Sequence, residues 1–183
     1  MEQKIKSQQQ LIALCKKGNS LAQYQFYDQY VDAMYNIAFR ITGNQADAED
    51  ALQEAFTKAF RKIGSFKGDS TIGAWLKRIV VNQCLSDLRK KKIMFESMED
   101  DMARHQPDEN DISIADEVSM EKVMNAIETL PDGARVVFTL KAIEEYKFKE
   151  IAEMLNQTET NCKVQYHRSK KLLSHKLEGI LQT

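Results

Sequence analysis

Basic side chains recur along one side of a C-terminal segment that has the period of two helices separated by a turn. The segment Phe148–Leu173 breaks at Asn156, a residue type that tolerates the left-handed backbone of such a turn. Thr158 follows where a hydroxyl can cap the second helix. That helix presents one face by spacing, made of Lys163, Val164, His167, Arg168 and Lys171. Lys and Arg hydrogen-bond phosphates and guanine, and Val fits a thymine methyl group, so a helix-turn-helix contact with DNA is predicted.

A second candidate DNA surface lies in the middle of the chain, where a turn-rich loop precedes a long amphipathic helix. The loop carries small and polar residues, namely Lys67, Gly68, Asp69 and Ser70. It lies near the helix N-terminus, where it can hold a phosphate or a flipped-out base. The polar side of the helix carries Arg78, Asn82 and Arg89, and the Asn82 amide can hydrogen-bond a base edge. For Trp75 the spacing predicts a core position rather than stacking on DNA.

A third surface, on the run Asp47–Gly64, is acidic. The run has apolar residues at a nearly unbroken helical period, with Asp50, Gln53 and Glu54 on the outward face. Carboxylates repel phosphates, so a basic protein surface is the partner that this face predicts. Packing alone is the competing interpretation, because most amphipathic helices have no further role.

The residue types and their spacing do not indicate an enzyme. The sequence has no Gly-rich phosphate loop, no nucleophile motif and no metal-ligand spacing, so we expect neither catalysis nor a cofactor. The three cysteines, Cys15, Cys84 and Cys162, are far apart in helical patterns. Their spacing fits neither disulfides nor zinc, and we expect them to be buried.

Charge is distributed unevenly, although the net charge of the 183 residues is only −1. Residues 1–92 carry 15 Lys and Arg against 9 Asp and Glu, residues 93–119 carry 1 against 9, and residues 160–183 carry 5 against 1. Two basic parts separated by an acidic strip suggest nucleic-acid contact at both ends. No run approaches the ~18 apolar residues of a membrane span, and the N-terminus lacks a signal-peptide pattern. We therefore expect a cytoplasmic protein without membrane insertion.

Helical periods predict an all-α fold of two helical domains. Four helices are expected in residues 1–92, with Gly18, Gly43 and Gly64 as stops and with Ser20 and either Ser70 or Thr71 as caps. Residues 93–117 have no sustained period and predict a flexible acidic linker. Residues 118–183 predict the helix-turn-helix domain.

Taken together, these segments resemble the extracytoplasmic-function (ECF) group of bacterial sigma factors. The resemblance covers nearly the whole chain in order, through "LIALCKKGNSLAQYQFYDQY", "AEDALQEAFTKAFRKIGSFKGDSTIGAWLKRIVVNQCLSDLRKK", "LPDGARVVFTLKAIEEYKFKEIAEML" and "KVQYHRSKKLL". It implies a region-two domain at residues 1–92, a region-four domain at residues 118–183, and promoter-directed transcription initiation.

The resemblance also implies roles for the three surfaces. The "DALQE" segment resembles the part that binds the clamp helices of the RNA polymerase β′ subunit. The "FKGDSTIGAWL" loop and "RIVVN" helix resemble the reader of the minus-ten element, and the Lys163–Lys171 face resembles the reader of the minus-thirty-five element. The implied partners are core polymerase (including the β flap, with region four), promoter DNA and an anti-sigma factor. The chain departs from the family at "TNCKVQ", where the usual pattern is "GTVKSR", and at the polar Gln157 of the turn.

Two other readings stay open on the residues alone. A stand-alone helix-turn-helix repressor or activator would explain the C-terminal half and would leave the acidic face of Asp50, Gln53 and Glu54 unused. A protein-interaction adaptor that has lost DNA binding would explain the departures between Thr160 and Gln165.

Overall fold

Helices account for all regular secondary structure in residues 7–91 and 120–181, the parts of the chain described by our computed structural model. The all-α prediction is confirmed for these residues. The acidic linker predicted at 93–117 and the first residues of the domain predicted from 118 lie outside them. The chain divides into two compact units, one formed by most of its N-terminal half and the other mainly by its C-terminal half.

Four α-helices supply the N-terminal unit, and their bounds are close to those predicted from periodicity. They are α1 (Gln8–Lys16), α2 (Ser20–Thr42), α3 (Gln45–Lys62) and α4 (Ile72–Lys90), with a single 3-10 turn at Ile63–Ser65 after α3. Residues 40–43 and the residues from Asp87 onward group with the C-terminal unit. Gly18 and Gly43 follow α1 and α2 with φ of +74° and +78°, the left-handed backbone that ends a helix and favours glycine.

The helix caps differ from the prediction at one place. Asn19, not Ser20, caps α2, because its Oδ1 accepts a hydrogen bond from the Ala22 N–H at 2.9 Å and Ser20 is already helical. Asn44 caps α3 in the same way through the Asp47 N–H, which is why α3 begins at Gln45 rather than at Asp47. These donors would otherwise lack partners at the helix ends.

Aromatic side chains of α2 and α3 meet in the core of this unit. The Phe26 ring is fully buried, and its centroid lies 6.5 Å from that of Phe56 and 5.8 Å from that of Phe60. Burial of a ring of this size contributes about 1.5–3 kcal/mol to stability.

The apolar period of α4 predicts a buried stripe of Trp75, Leu76, Ile79, Val80, Cys84 and Leu88. The side that the fold buries is rotated relative to this stripe. Leu76, Val80, Cys84 and Leu88 are buried as predicted, whereas Trp75 and Ile79 are only half-buried. Val81, Gln83 and Leu85, which were not expected in the stripe, are buried instead. The helical period fixes which residues share a side, but the neighbours in the fold decide where the buried side is centred.

The C-terminal unit is also helical in its described residues. Its helices are α5 (Met120–Glu128), α6 (Asp132–Phe138), which continues into a π-helical turn at Thr139–Ile143, α7 (Phe148–Leu155) and α8 (Glu159–Leu181). Side chains from α5, α6 and α8 and from the turn after α5 form its core, which contains Ala126, Ile127, Leu130, Phe138, Leu173 and Leu177. Leu173 and Leu177 fix the C-terminal half of α8 in this core. The N-terminal half of α8 lies against α7.

All three cysteines are buried, as predicted, and none of them forms a disulfide bond. Burial raises the pKa of the Cys15 and Cys162 thiols, so both stay protonated at neutral pH.

Among the described residues, none of the helices combines the length and the apolar character required to cross a membrane.

Candidate nucleic-acid and protein interfaces

The turn between α7 and α8 has the geometry that the sequence predicted. Asn156 adopts the left-handed conformation, with φ 55° and ψ 46°. The Gln157 N–H donates to the Ala152 carbonyl at 2.9 Å, which closes the end of α7 as in a Schellman motif. Thr158 then caps α8, because its Oγ1 accepts from the Asn161 N–H at 3.1 Å. The two helices are thus joined by the short turn of a helix-turn-helix.

Burial fixes which side of α8 faces away from α7. Ile151 and Leu155 of α7 and Cys162 and Ser169 of α8 are fully or almost fully buried, and Ala152 beside them is small enough for the backbones to approach closely. The opposite side of α8 is therefore the side available to a ligand.

All five predicted residues of α8 lie on that available side. Lys163, Arg168 and Lys171 are exposed, and Val164 and His167 are half-buried. One contact was not foreseen: the Lys163 Nζ lies 3.0 Å from Glu159 Oε1, one turn earlier, and both side chains are about half exposed (49% and 48%). The Glu159 carboxylate therefore offsets part of the positive charge that Lys163 gives to this face. Thr160 is also exposed on this side, one turn before Val164, and sequence reasoning did not include it.

Three of the residues that depart from the family pattern, Gln157, Asn161 and Gln165, form a group of amides in and next to the turn. Gln157 Oε1 accepts hydrogen bonds from Asn161 Nδ2 and from Gln165 Nε2, both at 3.3 Å. The half-buried Gln165 side chain is therefore directed to the turn. These polar residues replace an apolar turn residue without leaving the Gln157 amide oxygen unpaired, which explains how the motif keeps its geometry.

The second predicted surface combines an exposed loop with one side of α4. Lys67, Gly68, Asp69 and Ser70 are all exposed, and Gly68 has φ +88°. Thr71 caps α4, because its Oγ1 accepts from the Ala74 N–H at 3.2 Å. Arg78, Asn82 and Arg89 are exposed and fall within about 40° of one another around the helix at 100° per residue. The loop tip and the side chains of Arg78 and Asn82 are thus available to a ligand, whereas Arg89 Nη1 donates a hydrogen bond to the Met154 carbonyl at 3.4 Å.

The third predicted surface is the outer face of α3. Asp50, Gln53 and Glu54 are exposed, and the opposite face is buried through Ala48, Ala51, Leu52, Ala55, Phe56 and Ala59. Beside this outer face lies an open groove of about 380 Å³, lined by Tyr27, Glu49, Leu52, Gln53, Phe56, Thr57 and Phe60. The groove was not predicted from the sequence, because Tyr27 has the spacing of neither a core nor a charged position. Tyr24, which is 60% exposed, lies one turn before Tyr27 on α2.

Two family models match the chain in the order of these surfaces. Sigma-70 region 2 matches residues 26–93, and Sigma-70, region 4 matches residues 120–173. The first match contains the outer face of α3 and the α4 surface, and the second contains the helix-turn-helix.

Relatives along the whole chain agree with the two matches. The ECF RNA polymerase sigma factor SigW of Bacillus subtilis is 32% identical over 98% of this chain and 100% of its own length. The ECF RNA polymerase sigma factor SigM of Mycobacterium tuberculosis is 29% identical over 97% of this chain and 88% of its own.

Solved structures share the fold. The sigma factor RpoE of Bartonella quintana, in complex with the anti-sigma factor NepR, superposes with a TM-score of 0.55 at 21% identity, over 85% of this chain and 96% of its own. CnrH, in complex with the cytosolic domain of CnrY, gives 0.51 at 21% identity, over 92% and 96%. Two region matches in order and a full-length relative above 30% identity lead to one conclusion: the chain belongs to the ECF family of sigma factors, non-enzymatic proteins that bind core RNA polymerase and direct it to promoters for transcription initiation.

Proposed function

We propose that this sigma factor divides promoter recognition between two weak DNA readers and uses a separate acidic face to hold polymerase. Residues 1–92 would form the domain that binds polymerase and the minus-ten element. Residues 93–117 would be the acidic linker, and residues 118–183 the domain that binds the minus-thirty-five element. Because polymerase holds both readers near one promoter, the second contact becomes intramolecular and its effective concentration rises.

The outer face of α3 is the proposed contact with core polymerase. Asp50, Gln53 and Glu54 are exposed together and offer carboxylate and amide oxygens to a basic partner. Such a face repels DNA, so its partner is a protein. The resemblance of "DALQE" to the family motif assigns that partner to the clamp helices of the β′ subunit.

The loop Lys67–Ser70 and the exposed side of α4 are the proposed reader of the minus-ten element. A loop with an exposed tip, followed by a capped helix, can receive a base turned out of the stack. Asn82 can hydrogen-bond that base or its neighbour, and Arg78 and Arg89 can neutralise phosphates along the strand.

The observation that carries the proposal furthest is the left-handed turn at Asn156, which joins α7 to α8 and leaves one side of α8 uncovered. A recognition helix needs such a side to enter the major groove. Arg168 can make a bidentate contact to guanine, and Lys171 can meet a phosphate, so the same helix can both read and hold the minus-thirty-five element. The β flap is the proposed polymerase contact of this domain.

The proposed regulatory partner is an anti-sigma factor that covers the polymerase-binding face. The similar structures of RpoE and CnrH are complexes, the former with an anti-sigma factor. A protein that works on polymerase and promoter DNA acts in the cytoplasm, and we place this chain there.

Arg168→Ala and Lys171→Ala are expected to weaken promoter binding in different ways. Loss of a bidentate base contact should lower affinity about 5- to 150-fold, corresponding to ~1–3 kcal/mol, and chiefly for promoters that carry the preferred base at one position. Loss of a phosphate contact should weaken binding to all upstream sequences alike and reduce the slope of log affinity against log salt by about one. Both effects are measured by the binding of holoenzyme to promoters with variant minus-thirty-five elements at several salt concentrations.

Lys122→Ala on α5 is the matched control, because it removes one charge from the same unit outside the two helices of the motif. If Arg168→Ala and Lys171→Ala behave identically on every promoter variant, the α8 face supplies electrostatic attraction only, and its proposed reading role is wrong.

A further inference from the structure

The loop that is proposed to receive a base is fixed at both of its ends. At its C-terminal end the Thr71 side chain caps α4. At its N-terminal end Phe66 continues from the 3-10 turn, where its N–H donates to the Ile63 carbonyl at 3.1 Å. The Phe66 ring lies 5.6 Å from the Trp75 ring of α4, centroid to centroid. The four exposed residues Lys67–Ser70 lie between these two fixed ends.

A residue far away in sequence also holds the N-terminal end. The Lys16 Nζ donates a hydrogen bond to the Phe66 carbonyl oxygen at 2.8 Å, across 50 residues of sequence. The same ammonium lies 6.0 Å from the centroid of the Phe66 ring, at the limit of a cation–π contact. Lys16 thus contacts both the backbone and the side chain of the residue from which the loop departs.

The helix that carries Lys16 is itself held in place. Lys16 is the last residue of α1, and the apolar side of α1 is buried through Leu11 and Cys15, which are only 5% and 2% exposed. The ammonium therefore comes from a packed helix rather than from a free tail. Nothing in the family motifs or in the charge pattern pointed to this contact.

We propose that Lys16 is a positioning residue for promoter recognition, which sets the conformation of the Phe66–Thr71 loop before DNA arrives. This inference rests on the proposed role of the loop in reading the minus-ten element. A loop that is ordered before binding loses less conformational entropy when it closes around a base, so the contact is tighter. Lys16 itself touches no base; it acts through Phe66.

The neighbouring Lys17 provides a matched control. It is an exposed lysine at the C-cap of α1, so Lys17→Met removes the same charge one residue away. If Lys16 acts only through long-range attraction for DNA, the two substitutions should have the same effect. If it acts through Phe66, only Lys16→Met should disturb the loop, and Lys16→Arg, which keeps a donor of similar reach, should restore most of the function.

The free protein gives the first test, because Trp75 is the only tryptophan of the chain and lies against Phe66. Acrylamide should quench Trp75 fluorescence more strongly in Lys16→Met than in the wild type, Lys17→Met or Lys16→Arg. Thermal unfolding of all four proteins controls for global stability. An unchanged quenching constant in Lys16→Met would overturn the proposed ordering of the loop.

The second test measures base discrimination. Holoenzyme first selects a promoter from a library of duplexes with randomised sequence. The probe is then the single nontemplate strand of the minus-ten element of that promoter. Lys16→Met should lower the affinity for this strand about three- to tenfold and reduce the preference for the selected base, whereas Lys17→Met should leave the preference unchanged.

The outcomes separate this inference from the function on which it rests. A wild-type holoenzyme without base preference on the strand would refute the proposed role of the loop. A wild-type preference that Lys16→Met retains in full would refute the role of Lys16 alone. If Lys16→Met and Lys17→Met lose the same amount of base preference, Lys16 acts only through its charge and the proposed positioning role is wrong.

Discussion

Charge reversal at Asp50 and Glu54 is expected to lower the affinity of this sigma factor for core polymerase about a hundredfold. The two carboxylates lie one turn apart on the exposed face of α3, so arginines there would place like charges against a basic partner. Like-charge contacts in an interface cost several kcal/mol, and about 2.7 kcal/mol corresponds to a factor of roughly 100. Titration of fluorescently labelled protein with core polymerase measures the change.

The fold should tolerate this double substitution, because substitutions of exposed residues outside helix caps and cores change the free energy of unfolding by no more than about 0.5 kcal/mol. Asp28→Arg with Asp32→Arg is the matched control, since these two exposed aspartates have the same spacing on α2. We expect the control to retain most of its polymerase affinity. Holoenzyme formation that is unaffected by Asp50→Arg with Glu54→Arg would remove α3 from the polymerase interface.

Loss of the Asn82 side chain is expected to relax promoter selectivity at one or two positions of the minus-ten element. The Asn82 amide is exposed in α4, where it can both donate to and accept from a base. A good contact of this kind contributes ~1–3 kcal/mol of discrimination, so Asn82→Ala should reduce the preference for the selected base about 5- to 150-fold. Transcription from promoters substituted one position at a time measures the preference.

Asn36→Ala is the control for this experiment, because Asn36 is an exposed asparagine in the interior of α2 in the same unit. It should leave the promoter preferences as they are in the wild type. If Asn82→Ala responds to every promoter substitution as the wild type does, then Asn82 is a solvated surface residue and base reading lies elsewhere.

Local pattern was enough to predict most of the fold. The apolar period of α3 predicted its buried face, and Asn156 with Thr158 predicted the turn and the cap of the helix-turn-helix. In these segments local preference and tertiary packing favour the same structure. The sequence alone identified the outward sides of α3, α4 and α8 for the same reason.

What could not be predicted depends on neighbours in space or on a choice between equivalent residues. Asn19 and Ser20 are both good caps, and the burial of Ala22 and Phe26 sets the register in which Asn19 is the cap. The centre of the buried side of α4 depends on which neighbours pack against it. The sequence therefore could not show that Val81 and Leu85 are fully buried whereas Trp75 and Ile79 are only half-buried.

Contacts made by long polar side chains were the least predictable part of the candidate sites. The Lys16–Phe66 contact joins residues 50 positions apart, and no local pattern encodes it. The Lys163–Glu159 pair and the hydrogen bonds of Gln157 follow from helix geometry only after the ends of α7 and α8 are known. Their consequence is that the effective charge of a predicted face differs from a count of its basic residues.

Transcription with purified components tests the central claim most directly. The chain is mixed with bacterial core polymerase and a library of duplexes with randomised promoter sequence, and the 5′ ends of the transcripts are sequenced. We expect starts that depend on the chain and lie at a fixed distance downstream of two recurrent sequence blocks at constant spacing. The absence of such starts, with specific binding of a palindromic site by the chain without polymerase, would contradict the assignment of two promoter readers to one polymerase-bound sigma factor.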